Sequence, residues 1–535
     1  MALQAALVGA CTVIPFLLLL YIRINDRVLG SIPNRALNVS PARCKPKDVL
    51  MTASRLARAP ITSEAQIPPR TGRRYIIIGG VCTRMFNKDG TYCSQAGFLG
   101  GWIVVQLIQR GEDPKRIRVL DIRQPTRHDL VTGPAKDVQF IKVDISDPKA
   151  TRQAFAAPWA DSDTNVKVTI IHTAANIRFY ERHISLVPNS AKVNVNGTQN
   201  VIDASLSIGA STLIYTSSAS VAIRSNRFFL WPWQKEPKHF VQAINDDDRL
   251  APKYHCDFFS NYAYTKKLAE QKVRAADKSR SGCGNQLRTG CLRPGNGVFG
   301  PGGDMLCGAY LVRQNNPTWI GNIVSNFSYV ENCALAHLCY EQRLIELEMG
   351  SSNPDIGGQA FNIADPGPPP TYGDVYTTLE TLTDGETFFP TLSPTGMLLV
   401  AHLIEFYYLF RHFVISAFPL LAKIIPAING DLVNLQPSLW NLVNVHLIFD
   451  DSRARLPPEK GGLGYKGAWT TLEALHKTVE EHKKGLIRSE ERSKVAGISF
   501  GFGLVKAQRA VAKVGEKVEE EIGVDPVKVL GTKNG

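Results

Sequence analysis

The chain has 535 residues, 44% hydrophobic and 20% charged, which excludes a disordered, collagen-like or coiled-coil protein and leaves room for two or three domains. Its ten cysteines form no Cys-x-x-Cys pair and no dense even spacing, so a disulfide scaffold or zinc ribbon is excluded and a reducing compartment expected. The formal charge is +13, from 61 Lys and Arg against 48 Asp and Glu, and its placement decides its meaning. Residues 2–22 carry no charge, and twenty mostly apolar positions from Leu3 match the thickness of a hydrocarbon core, so residues 1–22 are predicted to form a transmembrane helix. No Lys or Arg precedes the run and no small-x-small site follows it, against a cleavable signal. Between Arg23 and Arg74 stand eleven basic and three acidic residues, which by the positive-inside rule place the remainder in the cytosol. Without a zinc finger, RNA-recognition signature or aromatic-interleaved basic helix, nucleic acid is not an expected partner. Residues 23–71, rich in Pro and basic side chains, read as a linker.

From residue 75 short apolar runs alternate with helical stretches. Strands are predicted over 75–79, 117–121, 138–143, 168–171, 212–215 and 290–293, and such alternation means a parallel sheet covered on both faces. The fold class is therefore α/β, a Rossmann-type doubly wound parallel sheet over 72–293. A smaller, mostly helical C-terminal substrate domain follows over 294–480, with a charged tail over 481–535. The apolar stretch 397–428 carries Glu405, Arg411, His412 and Lys423 and is broken by Pro419 and Pro426. Charges near its middle argue against a second span, so it is read as a membrane-contact helix, with a buried helical part of the substrate domain as the alternative.

A pyrophosphate turn requires glycine between the first strand and the next helix, and Gly79-Gly80 is there, but residues 81–95 (VCTRMFNKDGTYCSQ) are polar and irregular. Without them the text reads IIIGGAGFLGGW, a G-x-x-G-x-x-G turn of Gly79, Gly97 and Gly100. The fifteen residues are read as a retained intron, because Val-Cys can be encoded by GTATGT and Ser-Gln can end in CAG with the frame kept. A genuine surface insertion, or a metal or redox role for Cys82 and Cys93, are the alternatives; no metal site is predicted. Asp121 ends the second strand twenty-one residues beyond Gly100, where a carboxylate accepts from the adenosine ribose and disfavours a 2′-phosphate. NAD is the expected cofactor, with NADP the alternative that Arg123 leaves open. Asp144 and Ile145, after the third strand, are placed to face the adenine or to form a simple turn.

Tyr262 and Lys266 stand one turn apart on an apolar helical run. A neighbouring ammonium stabilises phenolate, which lets a tyrosine take the proton of an alcohol as hydride leaves. Ser218 follows the fifth strand at its carboxyl end, where open α/β sheets place ligands, and is the candidate to orient the same oxygen. The chain here resembles the extended short-chain dehydrogenases/reductases, and within them the 3β-hydroxysteroid dehydrogenase and sterol 4-carboxylate 3-dehydrogenase family. The resemblance covers about Arg74 to His476. It rests on the interrupted glycine turn, Ile171-His-Thr-Ala-Ala175, Asn194-Val-Asn-Gly-Thr198, Tyr215-Thr-Ser-Ser218, Tyr262/Lys266, Leu292-Arg-Pro294, Val298-Phe-Gly-Pro301, Phe327-Ser-Tyr-Val-Glu-Asn332 with Ala336-His337, and Phe449-Asp-Asp-Ser-Arg-Ala-Arg455.

This resemblance implies that Tyr262 is the general base, that Lys266 lowers its pKa and holds the nicotinamide ribose, that Ser218 binds the reacting oxygen and that Asn194 supports a proton-relay water. It also implies a sterol or steroid substrate, endoplasmic-reticulum membrane with the catalytic domain cytosolic, and, by analogy, a homodimer. An NADPH-dependent ketone reductase and a non-catalytic binding protein are the rival readings. Ser218 and Tyr262 are 44 residues apart, more than the family's usual thirty or so, and the extra loop with Trp231, Trp233 and Asp246-Asp-Asp248 is read as a substrate lid. Phe179, Tyr180 and His183 are read as loop packing.

Overall fold

The computed structural model of the chain describes residues 2–79, 96–163, 165–282, 284–302, 304, 306–428 and 430–485. The segment read as a retained intron, 81–95, and the tail beyond residue 485 lie outside the described residues. The six predicted strands are present within two residues of their expected bounds: β1 (Arg74–Ile78), β2 (Ile117–Asp121), β3 (Gln139–Lys142), β4 (Val168–His172), β5 (Thr212–Thr216) and, after the short β6 (Val241–Ile244), β7 (Arg288–Pro294). Every residue of β1, β4, β5 and β7 is buried, as a strand covered on both faces requires. Four further strands follow: β8 (Val298–Phe299), β9 (Ser328–Tyr329), β10 (Ala360–Ile363) and β11 (His446–Phe449).

Seven strands form one parallel sheet in the order β10-β7-β5-β4-β1-β2-β3. The chain steps outward from β1 to β3, returns to β4 on the other side of β1, and steps outward again. That reversal opens a crevice at the carboxyl ends of β1 and β4, the place where doubly wound sheets bind ligands. Leu99, Ile103, Val104 and Leu107 of helix α2, and Ala334 and Leu338 of a later helix, cover one face; Val201, Ile202, Ala269 and Val273 from two others cover the opposite face. These helices are α2 (Ala96–Gln109), α3 (Thr198–Ser207), α4 (Asn261–Ala275) and α5 (Val330–Glu348); α1 (Ala2–Leu29) precedes them and α6 (Pro394–Ala417) follows.

The chain does not divide cleanly at residue 293. It returns to the sheet with α5 and β10, and β11 pairs in parallel with β6 from the loop ahead of α4. β10 escaped the sequence reading because four apolar-rich residues carry no distinguishing period.

An N-terminal transmembrane helix over residues 1–22 is not supported. α1 is helical well past the apolar run, and among the described residues the helix long and apolar enough to cross a membrane is α6. The end of α1 enters the folded body, where Asn25 Nδ2 donates to Thr395 Oγ1 (2.8 Å) and to Phe228 O (3.0 Å), and Asp26 accepts from Thr395 N (2.9 Å). The charges that argue against a span in α6 are answered by protein groups: Arg182 holds Glu405 with two bonds of 2.6 Å, and Arg411 donates to Ile425 O (3.1 Å).

Candidate active site

α4 begins at a fixed point. Ser260 caps it, accepting from Ala263 N (3.2 Å), and buried Asn261 donates its backbone N–H to Glu181 O (2.7 Å) and its side-chain amide to His183 O (2.9 Å). Tyr262 and Lys266 follow one turn apart and, with Thr216, Ser217 and Ser218 at the end of β5, line a cavity of about 280 Å³. Its remaining wall is mainly apolar and aromatic, including Phe179, Phe259, Leu306, Tyr310, Trp319, Ile320, Tyr372 and Leu442. Trp319 is braced from behind by Trp440, stacked at 4.9 Å.

Lys266 is buried. Its ammonium donates to Thr216 O (2.6 Å) and lies 4.1 Å from the centre of the Tyr215 ring. Burial pushes its pKa down to about 7, against the opposing influence of Cys291 and Glu270. Burial pushes Tyr262 up to about 12, while the Ser218 hydroxyl draws it back. The phenol is thus not an intrinsically strong acid; its ionisation depends on positive charge brought to its oxygen in a dry pocket. Ser218 Oγ lies 2.8 Å from Ser220 Oγ and accepts from Ser220 N (3.2 Å), so its side chain is oriented before any substrate arrives.

Asn194 stands outside this cavity wall. It sits in a π-helical turn, Lys192–Gly197, a feature frequent near functional sites. Its amide donates to Asn176 O and Thr265 Oγ1 (both 3.0 Å) and its oxygen accepts from Asn176 N (2.7 Å). It ties the turn after β4 to the catalytic helix. His337, in the Ala336-His337 pair noted in the sequence, is buried with its Nε2 2.7 Å from Thr216 Oγ1 and its Nδ1 2.8 Å from Cys333 O. A carbonyl accepts only from a protonated Nδ1, so Thr216 is the donor to Nε2, and the residue whose carbonyl holds Lys266 is fixed from behind.

The residues expected to hold a cofactor stand at the carboxyl ends of β1, β2 and β3 and at the start of α2. Gly79 closes β1 with φ +84°, and a Cβ there would come within 2.7 Å of Ala174 N, so only glycine lets the two strand ends approach. α2 opens at Ala96 with Gly97 and Gly100 in its first two turns. Asp121 is the last residue of β2 and accepts from Arg123 N (3.3 Å). Asp144 is exposed and accepts from Ser146 N (2.9 Å). The Ile145 side chain is buried in the core against Gly197, and its carbonyl accepts from Asn200 Nδ2 (2.8 Å). The pyrophosphate turn between Gly79 and Ala96 lies outside the described residues.

Residues that the sequence reading passed over complete the site: Tyr215 and Thr216 hold Lys266, and Glu270 lies one turn beyond it. Glu270 was visible as an i, i+4 neighbour; a carbonyl contact leaves no mark in a sequence. In the extra loop Trp231 and Trp233 stack at 5.3 Å and are exposed, while Ser220 and Phe259 are its contributions to the cavity wall.

Sheet order, crevice and the Tyr262/Lys266/Ser218 cluster have the arrangement that the sequence resemblance implies. The sequence model of the 3-beta hydroxysteroid dehydrogenase/isomerase family matches residues 93–384, more than half of the chain, and the protein belongs to that family. The match begins within the segment read as an insert, although β1 ahead of it is central to the sheet. The chain is 28% identical over 352 residues to the 3beta-hydroxysteroid-dehydrogenase/decarboxylase isoform 2 of Arabidopsis thaliana, covering 64% of this chain and about half (52%) of that one. It is 29% identical over 282 residues to the decarboxylating sterol-4-alpha-carboxylate 3-dehydrogenase of Candida albicans, covering 51% of this chain and 69% of that one. A 3 beta-hydroxysteroid dehydrogenase/Delta 5-->4-isomerase of Vaccinia virus (strain Ankara) is 33% identical over 248 residues, 45% of this chain and 63% of its own. A UDP-glucose 4-epimerase of Thermotoga maritima superposes on 77% of the chain and 99% of its own, with a TM-score of 0.49 and 17% identity, too distant to add to what the sheet order shows.

Proposed function

We propose that this protein oxidises the C3 hydroxyl of a sterol or steroid, with NAD as its partner, while attached to a membrane. The carrying observation is the cavity, whose mainly apolar wall includes the Ser218, Tyr262 and Lys266 cluster. Such a lining takes a largely apolar molecule that brings a hydroxyl to that cluster. NAD, when bound, supplies the hydride acceptor, and the carboxylate of Asp121 suits a ribose hydroxyl better than a phosphate. The Ser218 hydroxyl donates to the reacting oxygen, Tyr262 takes the hydroxyl proton, and the Lys266 ammonium stabilises the phenolate that must exist beforehand. The names of the plant and yeast relatives support a 4-carboxylated sterol. Oxidation of such a substrate gives a β-keto acid, which loses carbon dioxide without another catalytic side chain.

The membrane reading is supported by two apolar surfaces. Leu403, Phe406, Phe410 and Phe413 of α6 are exposed, as are Phe16 to Leu20 of α1 and, just after α6, Phe418, Leu420 and Ile424. A contiguous surface of this kind marks contact with lipid or protein, and the relatives' sterol chemistry favours the membrane of the endoplasmic reticulum. The test is NAD reduction by microsomes carrying the protein, offered 3β-hydroxysterols with and without a 4-carboxylate, for the full chain and for one lacking residues 81–95. NADH formed with a member of the panel supports the reading; silence from both chains while NADPH drives ketone reduction would overturn it.

A further inference from the structure

Around Lys266 lies a set of buried charges that the proposed reaction leaves unexplained. One turn further along α4, the carboxylate of Glu270 accepts from Ser217 Oγ (2.7 Å), Arg293 Nε (2.8 Å), Arg293 Nη2 (2.5 Å) and Lys267 Nζ (3.3 Å). Glu270 and Arg293 are fully buried. A second carboxylate, Asp248, comes from the extra loop between β5 and α4. It accepts from Lys267 Nζ (2.7 Å) and Arg293 Nη2 (2.6 Å), and also pairs with Arg274. Two carboxylates thus balance three cations beside the catalytic lysine.

The other groups facing Lys266 do not supply negative charge at neutral pH. On β5 they are the Tyr215 ring and Thr216 O. On β7, burial pushes the Cys291 thiol well above its ordinary range. On β4, burial and then the charge of Lys266 itself keep His172 neutral, with its pKa down at about 3. On α4 itself stand Tyr262, a neutral phenol at rest, and Lys267, already paired with both acids. Glu270 is therefore the carboxylate, among the described residues around Lys266, that opposes loss of its proton. Removing either acid leaves one more uncompensated positive charge in a poorly solvated region, where screening is weak.

We propose that Glu270 is a positioning residue that keeps Lys266 protonated, and that the extra loop serves the site by supplying Asp248 to that charge balance from behind the catalytic helix. The proposal rests on the reading of Lys266 as the ammonium partner of Tyr262. It gives the additional residues between Ser218 and Tyr262 a purpose other than covering the substrate. Asp248 is held by three cations rather than carried at a mobile tip, which is the position of a brace.

The test titrates Lys266 directly. The full chain and its E270Q, E270D and D248N variants are each acetylated with trace acetic anhydride over a pH series, and the labelled fraction of the Lys266 peptide is read by mass spectrometry. Lys266 lines the cavity, so a small reagent reaches it. The midpoint is expected to fall by about half to one pH unit in E270Q and D248N, equivalent to about 3- to 10-fold more labelling about two pH units below the parent midpoint, and to recover most of that in E270D. Asp248 is partly exposed, so D248N serves if E270Q fails to fold, with circular dichroism as the check. A folded D248N with an unmoved midpoint overturns the proposal, whatever its turnover. A shifted midpoint in a chain that oxidises no steroid keeps the brace and rejects the substrate reading. Where steroid is turned over, the ascending limb of kcat/KM against pH should move to higher pH in the same variants.

Discussion

The molecule inverts the usual distribution of polarity in two places. Behind α4 it gathers five charged side chains and buries three of them, Lys267, Glu270 and Arg293, while on α1 and α6 it leaves Leu and Phe side chains exposed. Burying charge is costly unless every charge is paired, and a paired cluster is weak evidence of stability. Exposed apolar surface is costly in water for the opposite reason. Each arrangement therefore calls for a functional explanation, and the two explanations differ. In the reading proposed above, the charge cluster serves chemistry at one oxygen atom, and the apolar faces serve delivery of a substrate that water does not carry.

The sharpest way to break the catalytic half of this contrast is Tyr262→Phe. The phenyl ring keeps the packing of α4 and loses only the proton acceptor, so kcat should fall about 10²- to 10⁴-fold, with NAD affinity measured by fluorescence titration nearly unchanged. Retained turnover would remove Tyr262 from the mechanism. Next in size is Arg293→Met, which leaves Glu270 buried without its main partner; chemical denaturation should show a loss of about 3–5 kcal/mol. A loss below about 1 kcal/mol would mean that the cluster is open to water.

The two regions were also unequally legible. The strands that build the crevice could be read because β1, β4 and β5 centre on short apolar runs, and Tyr262, Lys266 and Ser218 could be placed because their spacing puts them at the carboxyl edge of that sheet. Arg293 was in view as part of Leu292-Arg-Pro294 and Asp248 as part of an acidic triplet, yet nothing in their spacing says that they meet; a fold brings together residues 45 apart along the chain. Position after β3 offers Asp144 and Ile145 either to the adenine or to a simple turn, and the spacing does not say that the Ile145 side chain packs into the core. Both apolar helices could be found by composition. Length and hydropathy single out α6 as the candidate span among the described residues, while Asn25 and Asp26 fasten the end of α1 to the start of α6.

The apolar half is sharpened by a smaller effect. Phe406→Ser with Phe410→Ser should leave turnover of a detergent-dispersed steroid within about twofold and weaken sedimentation with liposomes by about 10- to 100-fold. Each ring withdrawn from hydrocarbon forfeits about 1.5–3 kcal/mol if fully buried there, and a peripheral contact realises part of that. Liposome binding equal to that of the unaltered chain would assign these rings to another partner.

The smallest effect is the most diagnostic, because its sign is fixed by linkage. Burial lowers Lys266 from its ordinary value of 10.5 to about 7. Between those two pH values the unfolded chain holds a proton that the folded chain has released, so this lysine makes folding less favourable at low pH and progressively less so as pH rises. Below about pH 7 both states carry the proton and the whole cost of burying the charge is present. Lys266→Met abolishes that dependence along with turnover. The Tm of the variant relative to the parent should therefore be higher at pH 6 than at pH 9.5, by about 1 °C for each kcal/mol of relief. A Tm difference independent of pH would show that Lys266 is solvated as an ordinary surface lysine, and the contrast between a buried catalytic charge and an exposed apolar surface would lose its first member.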